Sequence, residues 1–309
     1  MDQGRTDVSA WEFLHVEARG ASEKMWLSEP GGSSARPHTH WLFKPATIHS
    51  NGHRQIGDWT ETIAAAVAAE LDVPAAQAKL AIRDGVEGVI VRNVRPVEYE
   101  MQAGSLVMVD EIGVELRASN RVRTATIGHT LDNICRALVP YGPPPAAPTW
   151  SSCTGYDVFV GYLILDALIG NADRHEQNWS VLRARSSAGP ADVLAPAYDM
   201  ESSLGFQLTD EARTNRLADA TAMEKFAVKG TARRFDGDLK TPLVDFAGRA
   251  VAQCSNAGRE RIAHLAEAIA SVNFEELLAS HPGVSVVARR FAGTVLEING
   301  RRIRDVIRT

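Results

Sequence analysis

The pattern of apolar and polar positions in the first hundred residues predicts a strand-rich region. Apolar runs of strand length are Trp11–Val16, Lys24–Leu27, His40–Phe43, Ala78–Ile82 and Gly88–Val94. Gly20 separates the first pair of runs, and the PGGSS stretch at positions 30–34 predicts a turn between the second and the third. Between the third and fourth runs, the alanine-rich stretch Trp59–Leu71 predicts a helix that Pro74 ends.

The pattern changes in the second part of the chain. From Arg95 onward the periodicity is lost, which predicts a connection to a second lobe. Helices are predicted at His129–Leu138 and Gly155–Ile169, and the second of these is apolar on most faces and therefore buried. Trp179–Leu182 and Val193–Tyr198 predict a short hairpin, and the remainder predicts mainly helices.

The order of these elements predicts an α+β fold with two lobes. The first lobe, residues 1–98, holds most of the strands and one long helix, whereas the second lobe, residues 99–309, is mainly helical. We expect the segment Val94–Tyr99 to be the hinge between them.

Composition and charge narrow the class of protein. The chain has 309 residues, of which 45% are hydrophobic and 23% charged, and its formal net charge is −5. A negative net charge gives no general attraction for nucleic acid. The three scattered cysteines favour reduced thiols over a disulfide framework. No apolar stretch has the length of a membrane span, so we expect a cytoplasmic protein without a membrane partner.

The candidate chemistry is concentrated between Gly170 and Asn178, directly after the predicted buried helix. Asp173 and Asn178 are five positions apart, which is the spacing between the base and the metal-binding Asn in kinase catalytic loops. Such a site needs a carboxylate that reaches the attacking hydroxyl and an amide oxygen that reaches Mg²⁺. Asp199 follows the next predicted strand and could bind the metal from the other side. Caps of helices or turns are the alternative role for both aspartates.

The first lobe offers groups for a nucleotide. The segment Gly20–Lys24 joins two predicted strands, so its backbone N–H groups could cover phosphates, although an ordinary hairpin is the better explanation of this short segment taken alone. Lys44 ends an apolar strand, where a lysine needs a partner. Glu61 in the next helix is the candidate partner, and Glu70 lies about 14 Å further along the helix axis.

Taken together, these motifs resemble the HipA-like kinases, a family of bacterial Ser/Thr kinases related to persistence toxins. The resemblance is specific at Gly170-Asn171-Ala172-Asp173-Arg174-His175-Glu176-Gln177-Asn178 and at Tyr198-Asp199. Weaker matches are Gly20, Ala21, Ser22, Glu23 and Lys24 with Trp26-Leu27, Phe43-Lys44 and Thr60-Glu61. The resemblance implies a bilobal kinase fold and transfer of the ATP γ-phosphoryl group to a Ser or Thr hydroxyl of a protein.

The resemblance also implies roles for individual residues. Asp173 is expected to be the catalytic base, with His175 bracing its loop, and Asn178 and Asp199 are expected to bind Mg²⁺. Lys44, held by Glu61, is expected to contact the α- and β-phosphates of ATP. Gly20, Ala21, Ser22, Glu23 and Lys24 are expected to cover the nucleotide.

Regulation is a further implication of the resemblance. Family members can be silenced by autophosphorylation near the glycine-rich loop, and Ser22 is the candidate here, with turn chemistry as the alternative role of this serine. Larger HipA toxins carry an extra N-terminal subdomain, whereas about ten residues precede the first predicted strand here. We therefore expect a compact member, for which an antitoxin-like regulator is one possible partner.

The sequence suggests three alternative functions, two of which it also disfavours. A small-molecule or phosphoinositide kinase would keep the fold and change the acceptor, which we expect the segment Glu211–Arg234 to help select. A nucleotide-binding pseudokinase is disfavoured because the candidate lysine, aspartates and asparagine are all present. A metal site at His38, His40, His49 and His53 is disfavoured because their spacing matches no common zinc pattern.

Overall fold

The computed structural model describes residues 4–17, 24–118, 125–281 and 283–308. The strands are β1 (Thr6–Asp7), β2 (Glu12–Val16), β3 (Met25–Ser28), β4 (His40–Pro45), β5 (Ala78–Arg83), β6 (Val86–Arg92), β7 (Tyr99–Ala103), β8 (Arg117–Ala118), β9 (Thr126–Ile127), β10 (Ser180–Ala184) and β11 (Val193–Leu194). The helices are α1 (Gly57–Glu70), α2 (Gly104–Ile112), α3 (Leu131–Ala137), α4 (Gly155–Ile169), α5 (Asp210–Leu217), α6 (Ala220–Lys229), α7 (Leu243–Val251), α8 (Asn256–Ser271), α9 (Phe274–Ala279) and α10 (Val286–Ile307).

A six-stranded sheet forms the first part of the molecule, with the order β1-β5-β6-β4-β3-β2. Its strands pair antiparallel except β1, which runs parallel to β5. Strand β4 lies between β3 and β6, so Lys44 sits in an interior strand opposite Val89. Helix α1 packs against β5 and β6, and its buried positions include Trp59, Glu61 and Ile63.

The second part is built around α4, in which every residue is buried. A helix that is buried on every face needs other elements to cover it, and α7, α8 and α10 supply that cover. Thr154 begins α4 with a capping box: its hydroxyl accepts from the Asp157 N–H at 3.2 Å, and the Asp157 carboxylate accepts from the Thr154 N–H at 2.8 Å. A small sheet with the order β11-β10-β7 lies beside this helical region.

Hydrogen bonds join the two parts close to residues 197–206. The Thr60 hydroxyl donates to the carbonyl of Glu201 at 2.6 Å. The N–H of Ile56 donates to the carbonyl of Phe206 at 3.0 Å, and that of Ala76 donates to Ala197 at 2.8 Å. These bonds fix the start of α1 against the segment that contains Asp199.

Most of the predicted elements are confirmed. Helix α4 has the predicted bounds, α1 is displaced by one or two residues, and β10 and β11 form the predicted hairpin. The strand-rich first part and the helical second part confirm the α+β class. None of the described helices has both the length and the apolarity that crossing a membrane requires.

The connection expected after Arg95 is followed, from Tyr99 onward, by regular elements that the sequence pattern did not predict. Strand β7 and helix α2 occupy residues 99–112. Two residues of β7, Glu100 and Met101, are exposed, so the strand has no apolar alternation, and it is held by its long pairing with β10. A strand defined by a partner some eighty residues away leaves little local signal.

Candidate active site

Lys44 is the centre of a cluster of charges between the two parts of the molecule. Its side chain is 5% exposed and its ammonium forms an ion pair with Asp199. Nζ also lies 3.7 Å from Oε2 of Glu61 and 3.6 Å from Oε2 of Glu201. Glu61 accepts a hydrogen bond from the N–H of Met200 at 2.9 Å, which fixes the carboxylate of α1 to the backbone beside Asp199.

The charges in this cluster shift one another's pKa values. Burial alone would lower the pKa of Lys44, but the carboxylates of Asp199, Glu61 and Glu201 outweigh burial and raise it. Burial would likewise raise the pKa of Asp199, but the ammonium groups of Lys44 and Lys24 lower it. For Glu61, burial dominates and the pKa is raised despite Lys44. Lys44 and Asp199 are therefore charged at neutral pH, and Glu61 is the weaker acid.

The backbone at Asp199 is held in an uncommon conformation. Its φ is 58°, in the left-handed region where Asp and Asn are tolerated better than most other residues. The preceding residue, Tyr198, donates its hydroxyl to the carbonyl of Gln177 at 3.0 Å. The turn therefore directs Asp199 toward Lys44 and joins it to the loop that follows α4.

That loop begins where Gly170 ends α4 with a φ of 69°, a conformation that glycine adopts without strain. The Asn171 side chain accepts from the N–H of Asp173 at 3.1 Å. The amide nitrogen of Asn178 donates to the carbonyl of Asp173 at 2.9 Å. Because the backbone N–H of His175 also donates to that carbonyl, at 2.8 Å, the loop closes on itself and brings Asp173 close to Asn178.

Arg174 connects several parts of the candidate site, and the sequence analysis assigned it no role. It is 2% exposed and donates Nε and Nη2 to the two carboxylate oxygens of Asp166, at 2.7 and 2.8 Å. Its Nη1 donates to the carbonyls of Asn178, at 2.7 Å, and Tyr198, at 3.3 Å. One buried side chain thus connects α4, Asn178 and the residue before Asp199. An aspartate near the end of a mainly apolar helix, eight positions before an arginine, was the available signal.

Asp173 is partly buried and paired with arginines from the segment after α6. Arg234 places Nε at 2.7 Å and Nη2 at 2.5 Å from Oδ1 of Asp173. Arg233 places Nη2 at 3.4 Å from the same oxygen and donates Nε to the carbonyl of Ala172 at 3.1 Å. Both arginines lie after α6, at the end of the segment Glu211–Arg234 that we expect to help select the acceptor.

His175 lies in the loop beside Asp173 and does not point to a separate site. Its Nδ1 accepts from the N–H of Gln177 at 3.2 Å. Burial lowers its pKa more than the nearby Asp173 raises it, so the ring is neutral at pH 7. These contacts fit the bracing role that the resemblance implies.

The donor set fits Mg²⁺, a hard cation that prefers few protein oxygens and keeps water or phosphate ligands. Oxygens of Glu61, Asp199 and Glu201 lie within 4.8 Å of one another, and among the described residues this is the group able to hold a metal. Because the amide nitrogen of Asn178 is used on Asp173, its oxygen remains as an acceptor. Arg174 holds the backbone on both sides of this set.

Most of the predicted nucleotide cover lies outside the described residues, which end at Glu17 and resume at Lys24. The residues outside are Gly20, Ala21, Ser22 and Glu23. Lys24, which is described, is close enough to Asp199 to lower its pKa.

Two other features carry no comparable chemistry. A cleft of about 950 Å³ shares no residue with the Lys44 cluster. It includes Arg5 and Arg54, which are paired with Asp58. Of the four clustered histidines, His49 stacks on His53 with ring centres 5.8 Å apart, and His53 contacts the carbonyl of Gln207.

Comparisons with solved structures found matches that cover most of this chain. The fold is similar to the crystal structure of the Helicobacter pylori proinflammatory kinase CtkA, with a TM-score of 0.73 and 18% identity over 98% of this chain and 97% of that chain. A second match is HipA of Shewanella oneidensis MR-1, in a complex with HipB and operator DNA. Its TM-score is 0.46 and its identity 14%, over 95% of this chain and 67% of that chain.

The likeness to CtkA establishes a kinase-type fold, as the α+β pattern and the motifs predicted. No curated protein matches the chain in sequence. The family model described as the HipA-like C-terminal domain matches residues 16–277. This range contains the Lys44 cluster and the whole loop from Gly170 to Asn178. The chain therefore belongs to the HipA-like C-terminal domain family.

Proposed function

We propose that this protein is an ATP- and Mg²⁺-dependent kinase that transfers the γ-phosphoryl group to a Ser or Thr hydroxyl of a protein. The observation that carries the proposal is the connection made by Arg174. This side chain joins the loop with Asp173 and Asn178 to the turn with Asp199, and Asp199 pairs with Lys44. These contacts support a site in which a base, an amide oxygen, a carboxylate and a buried lysine act together.

Each residue has a defined task in phosphoryl transfer. The Lys44 ammonium would contact phosphate oxygens of ATP, and Glu61, whose Oε2 lies 3.7 Å from Nζ, would hold it in place. Asp173 orients the acceptor hydroxyl and takes its proton as the new oxygen–phosphorus bond forms. The leaving oxygen departs with ADP. Positioning and preorganised charge supply most of the rate enhancement.

Asn178 and Asp199 would hold Mg²⁺ through oxygen atoms, and a carboxylate oxygen of Glu201 lies within 4.8 Å of one of Asp199. When bound, the ion neutralises negative charge on the phosphates. The residues of this chain provide the rest: Arg174 holds the backbone beside both proposed ligands, and Lys24 adds positive charge close to Asp199.

The acceptor distinguishes this proposal from a small-molecule or phosphoinositide kinase. Family membership favours a protein acceptor. The intact set Lys44, Asp173, Asn178 and Asp199 disfavours a pseudokinase. Autophosphorylation at Ser22, ATP contacts by Gly20–Lys24, the adenine hinge at Val94–Tyr99, an antitoxin-like regulator and a cytoplasmic location belong to the same proposal.

The first experiment compares wild type with Asp173→Asn in the presence of labelled ATP and Mg²⁺. We expect label on the wild-type protein and a rate lower by roughly 10²–10⁴-fold in the variant, because the general base is lost. ATP binding, measured by calorimetry, should be the same for both proteins. Mass spectrometry of the labelled chain then tests Ser22 and locates any other acceptor.

Asp84→Asn is the matched control for this substitution. Asp84 is an exposed aspartate that, like many Asn residues, tolerates a positive φ, here 49°. Its variant should retain wild-type labelling. Equal labelling of wild type and Asp173→Asn would reject the assignment of the base, and a wild type that fails to bind ATP would reject the proposed function.

A further inference from the structure

Arg234 contacts the proposed base, Asp173, and has no role in the proposed mechanism. Its guanidinium directs two donors, Nε and Nη2, to a single oxygen, Oδ1 of Asp173. Charge-assisted hydrogen bonds of this kind are short and strongly directional. Among the described residues no hydrogen bond reaches the other oxygen, Oδ2. The carboxylate is therefore held by one oxygen and offers the other to an incoming hydroxyl.

The backbone of Arg234 is fixed as firmly as its side chain. The carbonyl of Arg234 accepts a hydrogen bond from Nδ1 of His129 at 3.0 Å. Nε2 of the same ring accepts from the indole N–H of Trp179 at 3.2 Å. Since an indole only donates, Nε2 must be the acceptor, which assigns the proton to Nδ1. Burial lowers the pKa of His129 to about 4, so the ring keeps this neutral form at pH 7.

Neighbouring contacts hold the His129 ring in turn. The ring of Phe235 stacks on that of His129, with centres 4.6 Å apart, and Phe235 packs against Phe246. The N–H of Asp236 donates to the carbonyl of His129 at 2.9 Å, and its carboxylate accepts from Gly128 at 3.1 Å. Trp179 directly follows Asn178 in the chain. A buried histidine thus connects the residue after a proposed metal ligand with the arginine that holds the proposed base.

We propose that Arg234 is a positioning residue for catalysis: it holds Oδ1 of Asp173 so that Oδ2 faces the acceptor hydroxyl, and His129 fixes it in that position. This inference rests on the proposed kinase function. Arg234 acts through Asp173 and does not contact the phosphoryl group. Its loss should lower kcat while leaving the affinity for ATP unchanged, because the nucleotide is bound by the separate Lys44 cluster.

The test measures Mg²⁺-dependent phosphoryl transfer from labelled ATP by the full chain, comparing wild type with Arg234→Gln and Arg234→Lys. For Arg234→Gln we expect kcat to fall by roughly 10²-fold, the size of effect expected when a catalytic group is displaced by about 1 Å. KM for ATP should stay within about two-fold of wild type. Arg234→Lys should recover part of the loss, because a lysine retains one charged donor for Oδ1.

Two arginines serve as controls. Arg233→Gln removes the neighbouring guanidinium, whose contact with Asp173 is longer, and should reduce kcat less than Arg234→Gln. Arg301→Gln removes an exposed arginine that pairs with Glu224 and should leave kcat unchanged. Thermal unfolding in the presence of Mg²⁺ and ATP identifies variants that have lost their fold, and for these the comparison rests on Arg234→Lys.

Each outcome decides the inference. A wild-type or higher kcat in both Arg234 variants overturns it, since a removed positioning contact cannot leave the rate intact. Parallel changes in kcat and in KM for ATP overturn it as well, because they indicate a general effect on the fold. A wild-type chain that transfers no phosphoryl group rejects the proposed function itself, and the inference with it.

Discussion

Two groups of charged residues meet the turn at Tyr198 and Asp199, and they differ in the ratio of positive to negative charges. Arg174 faces one carboxylate, Asp166, and its remaining donors are used on carbonyls. Lys44 faces three carboxylates, and the nearby Lys24 does not balance them all. The first arrangement is complete by itself, whereas the second has an excess of negative charge.

This difference is the one expected between a structural ion pair and a site that binds a ligand, which is the role proposed for the Lys44 cluster. Unpaired charge in a buried site is costly, so a structural ion pair satisfies all of its groups. A site that receives a divalent cation must keep carboxylates in excess and accept the cost until the cation arrives. The raised pKa of Glu61 is one sign of that cost, since burial and the neighbouring acids outweigh Lys44.

Breaking the balanced pair should have the largest effect on stability. Arg174→Met leaves Asp166 buried without its cation, and we expect the free energy of unfolding to fall by about 3–5 kcal/mol. Urea denaturation measures this change. Arg301→Met, which breaks an exposed pair, should cost at most about 1 kcal/mol. Equal losses in the free energy of unfolding of the two variants would show that the buried Arg174–Asp166 pair stabilises the fold no more than an exposed pair.

His129 is a third buried ionisable group, and it differs from the two charged groups because its ring stays neutral at pH 7. Its pKa is about 4 in the folded chain and has the ordinary value of 6.5 in the unfolded chain. Between these values the unfolded state binds more protons, so the free energy of unfolding falls as pH decreases from 6.5 to 4. The contribution reaches at most about 3 kcal/mol.

The measurement is the difference between wild type and His129→Asn in urea denaturation at several pH values. We expect the gap between the two to narrow as pH falls through this window, because the variant has no ring to protonate. A gap that is constant with pH would contradict the assignment of a neutral buried His129.

Removing a carboxylate from the unbalanced cluster should affect stability less and ligand binding more. Asp199→Asn tolerates the positive φ, and Lys44 retains Glu61 and Glu201 as partners. We expect a loss of about 1 kcal/mol or less in the free energy of unfolding. The thermal stabilisation by Mg²⁺ with ATP should largely disappear. If that stabilisation is unchanged, Asp199 is not a metal ligand.

Glu201→Gln should give the smallest effect. Its side chain is 37% exposed and its contact with Lys44 is long, at 3.6 Å, so solvent screens the pair. We expect a change in stability of about 0.5 kcal/mol or less. The Mg²⁺ concentration at half-maximal stabilisation should rise only slightly, as Glu201 is the outer member of the acidic group. A loss as large as that of Asp199→Asn would make Glu201 a direct ligand.

Local pattern was sufficient for the elements that carry strong periodicity. The apolar helix α4 was predicted with its bounds, and the strand that contains Lys44 was predicted from its first residue. The Asp173–Asn178 spacing predicted a short turn that joins the two residues, and the Asn178 side chain does donate to the carbonyl of Asp173. The partner of Lys44 was also predicted correctly in Glu61, although Asp199 is the closer carboxylate.

Long-range contacts could not be predicted from the sequence, because no local pattern contains them. Strand β7 depends on β10, and Arg174 gains its role from Asp166 and Tyr198, which lie on different elements. Arg234 is sixty-one positions from Asp173, and His129 is fifty from Trp179. Polar side chains at such separations are indistinguishable from surface residues in a single sequence.

The sequence by itself determined the class of fold, the family resemblance and the residues able to do chemistry, because apolar periodicity and motif spacing are local properties. The tertiary structure alone decided how those residues are charged and held. Burial and packing bring Lys44 to three carboxylates, close Arg174 on Asp166 and direct Arg234 at Asp173. Electrostatic interaction depends on distance and exposure in space, and neither quantity is encoded in the order of residues.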